Sequence, residues 1–352
     1  MLHYWLLFSV FALGALGWNT QSRQTRLTPG ILMAAAALAL LIGFRWEVGA
    51  DWFPYERMYE EISIWGIEAA LEITEPLYGL LNLVAAKLGL DIWFVNIVCS
   101  ILFVWGLVRF AQLQPNPWLA IVVAIPFLAI VVAMGYTRQG AAIGLAMLGI
   151  VAARDKSIKK SIIIILLAGT FHRSALILIP LVAISNTQNR FQTVLLAFIA
   201  SILGYVFLLD SAVERYSSTY VEQVYQAEGA ATRLAMNIVP SIIMLLWHRK
   251  LGLDESETRL WKCFAFLGLT LNFLLIFIDS TVALDRIGIY VIPIQILVFS
   301  RLPTLIASSN IGISFATLGV IVYSAAIQFT WLNFASNAKY WLPYQSLFTF
   351  TN

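Results

Sequence analysis

Three charged sites interrupt apolar sequence and are the places where this chain could do chemistry. Arg138 lies in Tyr136-Thr137-Arg138-Gln139-Gly140, between two apolar runs with no other charge nearby. His172 and Arg173 break a stretch from Ser161 to Ser185 that carries no other charge. Asp285 and Arg286 open an apolar run, and Asp279 closes the one before it. Ionisable groups in such surroundings are costly and usually face a functional cavity. A guanidinium keeps its charge and matches phosphate oxygens with a planar fork of donors. Arg45, Arg138, Arg173 and Arg286 are therefore candidates to bind a pyrophosphate. Simpler readings stand beside this one. Arg138 and Arg286 could snorkel to a membrane surface, Asp285 and Arg286 could pair locally, and His172 could bond a neighbouring backbone group.

A second cluster supplies a carboxylate and aromatic faces: Asp51, Trp52, Tyr55 and Tyr59. Carboxylates beside rings suit a sugar, and a carboxylate can act as general base. Trp and Tyr also gather at membrane interfaces through amphipathicity alone. His172 is the other candidate base, because histidine titrates near neutral pH. Other chemistries leave no trace. The chain has no GxxxxGK[ST] and no GxGxxG pattern for nucleotides. It has no His/Cys cluster spaced for a metal and no GxSxG elbow. Cys99 and Cys263 sit in or beside apolar runs and read as small buried hydrophobes. No cofactor, no metal and no nucleic-acid partner is expected.

The elements that must position these residues are membrane helices. Apolar residues make up 60% of the 352 and charged ones 12%, whereas a soluble domain carries about 25% charged. The mean hydropathy is +0.83. The excess sits in charge-free runs such as Ile31–Gly43, Trp118–Gly135 and Ile311–Leu332, and about 20 apolar residues cross a bilayer core. The fold class is thus all-α: a polytopic integral membrane protein of roughly 10–12 transmembrane helices, including re-entrant or interfacial segments. Spans are expected near 2–18, 30–44, 92–111, 117–135, 139–153, 192–209, 234–248, 262–279, 286–300 and 310–332. The first is read as a retained span, since no basic segment precedes it and no cleavage pattern follows. All 352 residues form one transmembrane domain, with external loops at about 45–90 and 210–233 and an external tail, 333–352.

Orientation follows from charge. The loops Asn19–Thr28, Arg154–Lys160 and His248–Lys262 are the basic ones and belong inside. Arg45–Glu75 carries eight acids against two arginines and belongs outside. For these to agree, Pro76–Leu90 must be an interfacial or re-entrant helix. Ser161–Ser185 must then be a hairpin broken at Phe171–Ser174, lining a cavity near His172, with a single tilted span as the alternative. With the hairpin, Arg45–Tyr59, Tyr136–Gln139, Phe171–Ser174, Ser280–Tyr290 and Trp341–Ser346 all fall on the external side.

These same clusters resemble a known family. Arg45 to Tyr55, with Gly49, Asp51 and Trp52 between them, is similar to the "R-x-x-x-G-x-D-[WY]-x-x-Y" motif of the EpsG-like, Wzy-type exopolysaccharide polymerases. Arg138-Gln139-Gly140-Ala141-Ala142 resembles that family's "R-Q-x-[IL]-A", with Ala141 in place of a larger aliphatic residue. Phe171-His172-Arg173-Ser174-Ala175 looks like "F-H-[KR]-S-A", Arg286 with Tyr290 like "R-x-x-x-Y", and Pro343-Tyr344-Gln345-Ser346 like "P-Y-[KQ]-[ST]". The elements run in family order over nearly the whole chain.

The resemblance implies a GT-C-like glycosyltransferase of the bacterial inner membrane, with its active site facing the periplasm or cell exterior. Its substrate would be an undecaprenyl-pyrophosphate-linked oligosaccharide repeat unit. It would polymerise these units into an exopolysaccharide, without nucleotide sugar or metal. Membrane lipids, a chain-length regulator and a flippase are the implied partners. On this reading Asp51 or His172 is catalytic. Arg45, Trp52, Tyr55, Arg138, Gln139, Arg173, Asp285, Arg286, Tyr290 and Tyr344 bind substrate. Two alternatives remain. A lipid-linked oligosaccharide flippase would also collect arginines in a wet cavity, but it should show internal repeats, and none is visible. An O-antigen-ligase-like transferase would share the donor chemistry and differ in its acceptor.

Overall fold

The computed structural model describes residues 1–18, 28–186, 189, 191–192, 195, 229–278 and 281–349. The predicted span 192–209 and loop 210–233 lie almost wholly outside these, as do Asp279 and most of the loop 19–28. Among the described residues the chain is helical, with a single isolated bridge pairing Arg45 and Ser346. The all-α, multi-pass membrane architecture expected from hydropathy is what the structure has. Helices Ile92–Ala111, Ala230–Lys250 and Asn310–Phe334 are each long and apolar enough to cross a bilayer alone. A bent pair, Thr281–Val291 with Pro293–Ile306, meets the same measure as one broken span, kinked by 41°. Leu2–Leu16, Pro29–Gly43, Pro117–Ala133 and Arg173–Ser185 are shorter apolar helices.

The chain divides into two compact units that interleave along the sequence. The first comprises Met1–Leu148, Leu167–Arg173 and Phe299–Asn352. It begins with α1 (Leu2–Leu16) and α2 (Pro29–Gly43). Thr28 caps α2 by accepting from the Ile31 N–H, and Pro29 occupies the first turn, where its missing donor costs nothing. The predicted acidic loop is largely helical: α3 (Trp52–Trp65), α4 (Ile67–Glu72) and α5 (Pro76–Lys87). Gly66, at φ +74°, makes the break between α3 and α4. A small apolar core of Ile62, Ala69, Ala70 and Leu83 binds the three together. α5 is the helix that the sequence read as interfacial, and it buries Tyr78, Asn82 and Leu83 on one face.

α6 (Ile92–Ala111) and α7 (Pro117–Ala124) follow, and α7 continues as a π-helix over Ile125–Ala133. Pro126 stands at the start of that widened turn, where it has no N–H to give the ladder. α8 (Thr137–Arg154) then starts immediately beside Arg138. α6 and α8 touch backbone to backbone. A Cβ on Gly106 would stand 1.9 Å from the Gly144 oxygen, and one on Gly144 would stand 2.4 Å from the Leu102 oxygen. Small residues allow membrane helices to approach this closely. Gly106→Val should therefore remove the monodisperse peak of detergent-extracted protein in fluorescence-detected size exclusion. A wild-type profile would show that the helices can separate at no cost.

The second unit comprises Gly149–Leu166 and Ser174–Val298. α9 (Ile158–Gly169) ends at the break predicted over Phe171–Ser174. The chain resumes as a 3₁₀ turn, Arg173–Ile177, and α10 (Leu178–Asn186). α11 (Ala230–Ala235), α12 (Ile238–Trp247) and α13 (Glu255–Leu274) complete the unit with α14 (Thr281–Gly288). Asp254 and Glu257 form a reciprocal capping box at the start of α13, and Glu257 also pairs with Arg154 at 2.7 Å.

α15 (Pro293–Ile306) and α16 (Asn310–Phe334) lead back into the first unit and to the predicted tail. That tail is not free. Trp341 is 1% exposed, and its indole N–H donates to the Ile130 carbonyl of the π-helix at 2.8 Å. Tyr4 donates its hydroxyl to the Trp341 carbonyl at 2.9 Å. Backbone bonds from Gly49 to Tyr340, Trp46 to Gln345 and Leu347 to Phe44 tie the tail to the segment after α2.

Candidate functional site

Pro76 disfavours helix in the residue before it, so Glu75 is extended, with φ −61° and ψ 141°. Its side chain makes no cap on α5. Instead its carboxylate reaches the start of α8, where Oε2 accepts from Arg138 Nη1 at 2.7 Å. Thr74 donates its hydroxyl to the same oxygen at 3.2 Å, and Arg138 Nη1 lies 3.0 Å from the Thr74 oxygen. The backbone N–H of Arg173 faces Oε1 at 3.5 Å. The Thr170 carbonyl accepts from the Leu77 N–H, which seats the 167–173 segment over the start of α5. The result is a carboxylate held by a guanidinium, a hydroxyl and a backbone amide, all from the first unit.

Rings enclose this pair. The Arg138 guanidinium lies 5.6 Å from the Tyr55 ring centre and 6.0 Å from that of Tyr78, within cation–π range. The two rings are 5.8 Å apart. Burial pushes the Tyr55 phenol up to about 12, although Arg138 pulls the other way. For Glu75, burial would raise the carboxyl. The Arg138 guanidinium, with help from His172 and from backbone N–H groups, outweighs burial and holds Glu75 below the usual carboxylate range. Arg138 Nε, Tyr78 Oη and Asn82 Oδ1 are buried without a hydrogen-bond partner. Arg138 Nε thus remains as a donor for a polar ligand beside the ion pair.

Of the residues expected at the site, Arg138, Tyr55, His172 and Arg173 meet here. His172 is buried and Arg173 is exposed. Gln139 is buried one position along α8. Asp51 stands at the N-terminus of α3, one turn before Tyr55, and is half-buried.

Four of the expected residues are engaged by other parts of the protein. Arg45 is 1% exposed, and its donors go to protein: Nε to the Val48 carbonyl, Nη1 to that of Ile42, and Nη2 to Asn96 Oδ1 and Thr137 Oγ1. Those acceptors are neutral and leave the fork little to offer a phosphate. Arg45 knits together α2, α6 and the start of α8. Trp52 is buried against Trp46 and lies 5.9 Å from Arg45. Tyr344 donates its hydroxyl to the Leu41 carbonyl at 2.8 Å and packs on His3 and Tyr4, so it anchors the tail. Asp285 does not pair with its neighbour Arg286. It accepts two bonds from Arg233, at 2.7 and 2.9 Å, within the second unit. Arg286 is half-buried and Tyr290 fully buried in that same unit.

Glu75 is the residue that sequence reasoning passed over, because it is one of eight acids in the segment 45–75. Its signal was position: the last of the eight, directly before the proline that starts a helix. Among the described residues, no three His, Cys, Asp or Glu side chains gather as metal ligands.

A family model described as the EpsG family matches residues 31–346 of this chain. The comparison with curated proteins returned no match. The comparison with solved structures returned none either.

Proposed function

The chain belongs to the EpsG family, and from that premise we propose that it is a membrane glycosyltransferase that polymerises undecaprenyl-pyrophosphate-linked oligosaccharide repeat units into an exopolysaccharide. The observation that carries the reading is the Arg138 cradle. It combines a cation built for phosphate oxygens with aromatic faces, and its unpartnered polar atoms suit a sugar. A lipid diphosphate is already a good leaving group. Such a reaction therefore needs positioning and charge stabilisation more than bond activation. Arg138 takes the diphosphate, with Arg173 at the exposed edge. Tyr55 and Tyr78 offer their rings to the adjoining sugar. Asp51 and His172 lie at this end of the first unit and help orient the acceptor hydroxyl. No metal takes part. The cradle faces the periplasm or cell exterior, where repeat units become available.

The test is polymerisation by purified protein in nanodiscs, supplied with its host's lipid-linked repeat unit. A ladder of products, each one repeat longer than the last, is the expected result. Repeat units that cross the bilayer without growing would replace this reading with transport. Transfer to a different lipid or polysaccharide acceptor, with no ladder, would indicate a ligase.

A further inference from the structure

We propose that Glu75 is the residue that takes the acceptor hydroxyl's proton, and that it is released for this task when the donor's diphosphate replaces it on Arg138. The inference rests on the polymerase reading above and names a catalytic residue that the reading does not contain.

The geometry carries it in three steps. First, Glu75 sits where a diphosphate would be bound. Arg138 Nη1 at 2.7 Å, the Thr74 hydroxyl at 3.2 Å and the Arg173 backbone N–H at 3.5 Å surround its carboxylate. Guanidinium, hydroxyl and backbone amide are the donors that phosphate oxygens take. A multiply charged diphosphate competes for them against a single carboxylate. Arg138 Nε, still without a partner, gives the guanidinium one more donor for the newcomer.

Second, the exchange needs no unfolding. Glu75 precedes Pro76, which has no N–H, and makes no side-chain cap on α5. Its carbonyl bond from the Gly79 N–H holds the backbone while the side chain changes rotamer. The turn beneath is firm, since a Cβ on Gly79 would stand 1.8 Å from the Ala70 oxygen. The carboxylate therefore swings from a fixed base and stays beside the cradle.

Third, the exchange alters basicity in the useful direction. Glu75 is only 11% exposed. Burial favours its protonated form, and Arg138 is the main influence against that. When the diphosphate claims Arg138, the largest influence opposing burial is gone and proton affinity rises, with His172 and backbone N–H groups left as the smaller opposing influences. The base thus becomes competent when the donor arrives. The acceptor oxygen attacks the anomeric carbon of the donor's first sugar and forms the new glycosidic bond. The bond from that carbon to the diphosphate oxygen breaks, and the electron pair leaves with the lipid diphosphate. The hydroxyl proton passes to the Glu75 carboxylate. It returns to water as the lipid diphosphate leaves and the Arg138 pair re-forms. Glu60, Glu61, Glu68 and Glu72 of the same acidic segment are exposed.

The experiment separates binding from transfer in purified protein. Inorganic pyrophosphate is titrated calorimetrically, and single-turnover transfer is followed with the lipid-linked repeat unit. Glu75→Gln should bind pyrophosphate several-fold more tightly than wild type, because the competing charge is gone. Its transfer rate should fall by about 100- to 10,000-fold, the usual span for loss of a general base. Glu75→Asp should recover part of the rate. Transfer by Glu75→Gln within threefold of wild type would overturn the base. Weaker pyrophosphate binding by Glu75→Gln would overturn the exchange and make Glu75 a support for Arg138. If wild type binds pyrophosphate but never extends a repeat unit, the polymerase reading fails and the proton-accepting role fails with it. The pyrophosphate titration then judges the exchange alone.

Discussion

Arg138→Ala is expected to lower single-turnover repeat-unit transfer by about 100- to 1,000-fold, the loss that follows removal of one preorganised donor from developing negative charge. The effect should fall on transfer and on pyrophosphate affinity together, since one guanidinium serves both. Arg138→Lys should recover little. An ammonium is a point charge without the planar fork, and it would have to satisfy Thr74, Glu75 and two aromatic rings from a single nitrogen. Loss of Arg138 also leaves Glu75 buried without its cation. A double variant, Arg138→Ala with Glu75→Gln, should therefore regain thermal stability over Arg138→Ala alone while transfer stays lost. Arg138→Ala with wild-type transfer would end the assignment of the diphosphate to this residue.

Arg45→Ala should damage the fold and not the affinity. Four acceptors, from Ile42, Val48, Asn96 and Thr137, converge on this buried guanidinium. Hydrogen bonds to charged groups contribute roughly 1.5–3 kcal/mol each, and orphaned buried acceptors add a desolvation cost. Even with strong non-additivity, a loss of about 3 kcal/mol or more is expected. It should appear as a lowered unfolding temperature in detergent that added lipid-linked donor does not restore. The contrary result is a normal unfolding temperature with a raised KM. That would return Arg45 to the substrate.

The contrast between these two arginines shows how much was legible in the sequence. Both stand out as charges at the edge of apolar runs, so their cost was visible. What offsets that cost was not. Arg45 is met by backbone carbonyls and by Asn96 and Thr137, ordinary residues that no pattern marks. Arg138 is met by Glu75, one acid among eight, and the proline that turns it inward gives only the backbone direction. Asp285 follows the same rule. Its neighbour Arg286 looked like the partner, yet Arg233, 52 positions away, supplies the fork. Helix existence, the break at Phe171–Ser174 and the helical nature of Pro76–Lys87 were all readable, because hydropathy and charge balance act along the chain. Pairings across the chain depend on how helices pack. The close approach of Gly106 and Gly144, the π-turn after Pro126 and the folded-back tail have no one-dimensional signature.

That tail has a consequence for the order of assembly. The strand-like contact of Arg45 with Ser346, the Gly49 bond to Tyr340 and the Trp341 indole on the π-helix join residues about 300 or 200 positions apart. During synthesis, the segment that carries Arg45 leaves the ribosome long before its partners exist. It must wait in the membrane, with its loop unclosed, until α16 has been inserted and residues 336–347 have emerged. A ribosome stalled after α15 would leave most of the helices in place and the loop before α3 unlatched. Translation through residues 336–347 therefore acts as a checkpoint, because only a polypeptide extended that far can lock the ground on which the Arg138 cradle stands.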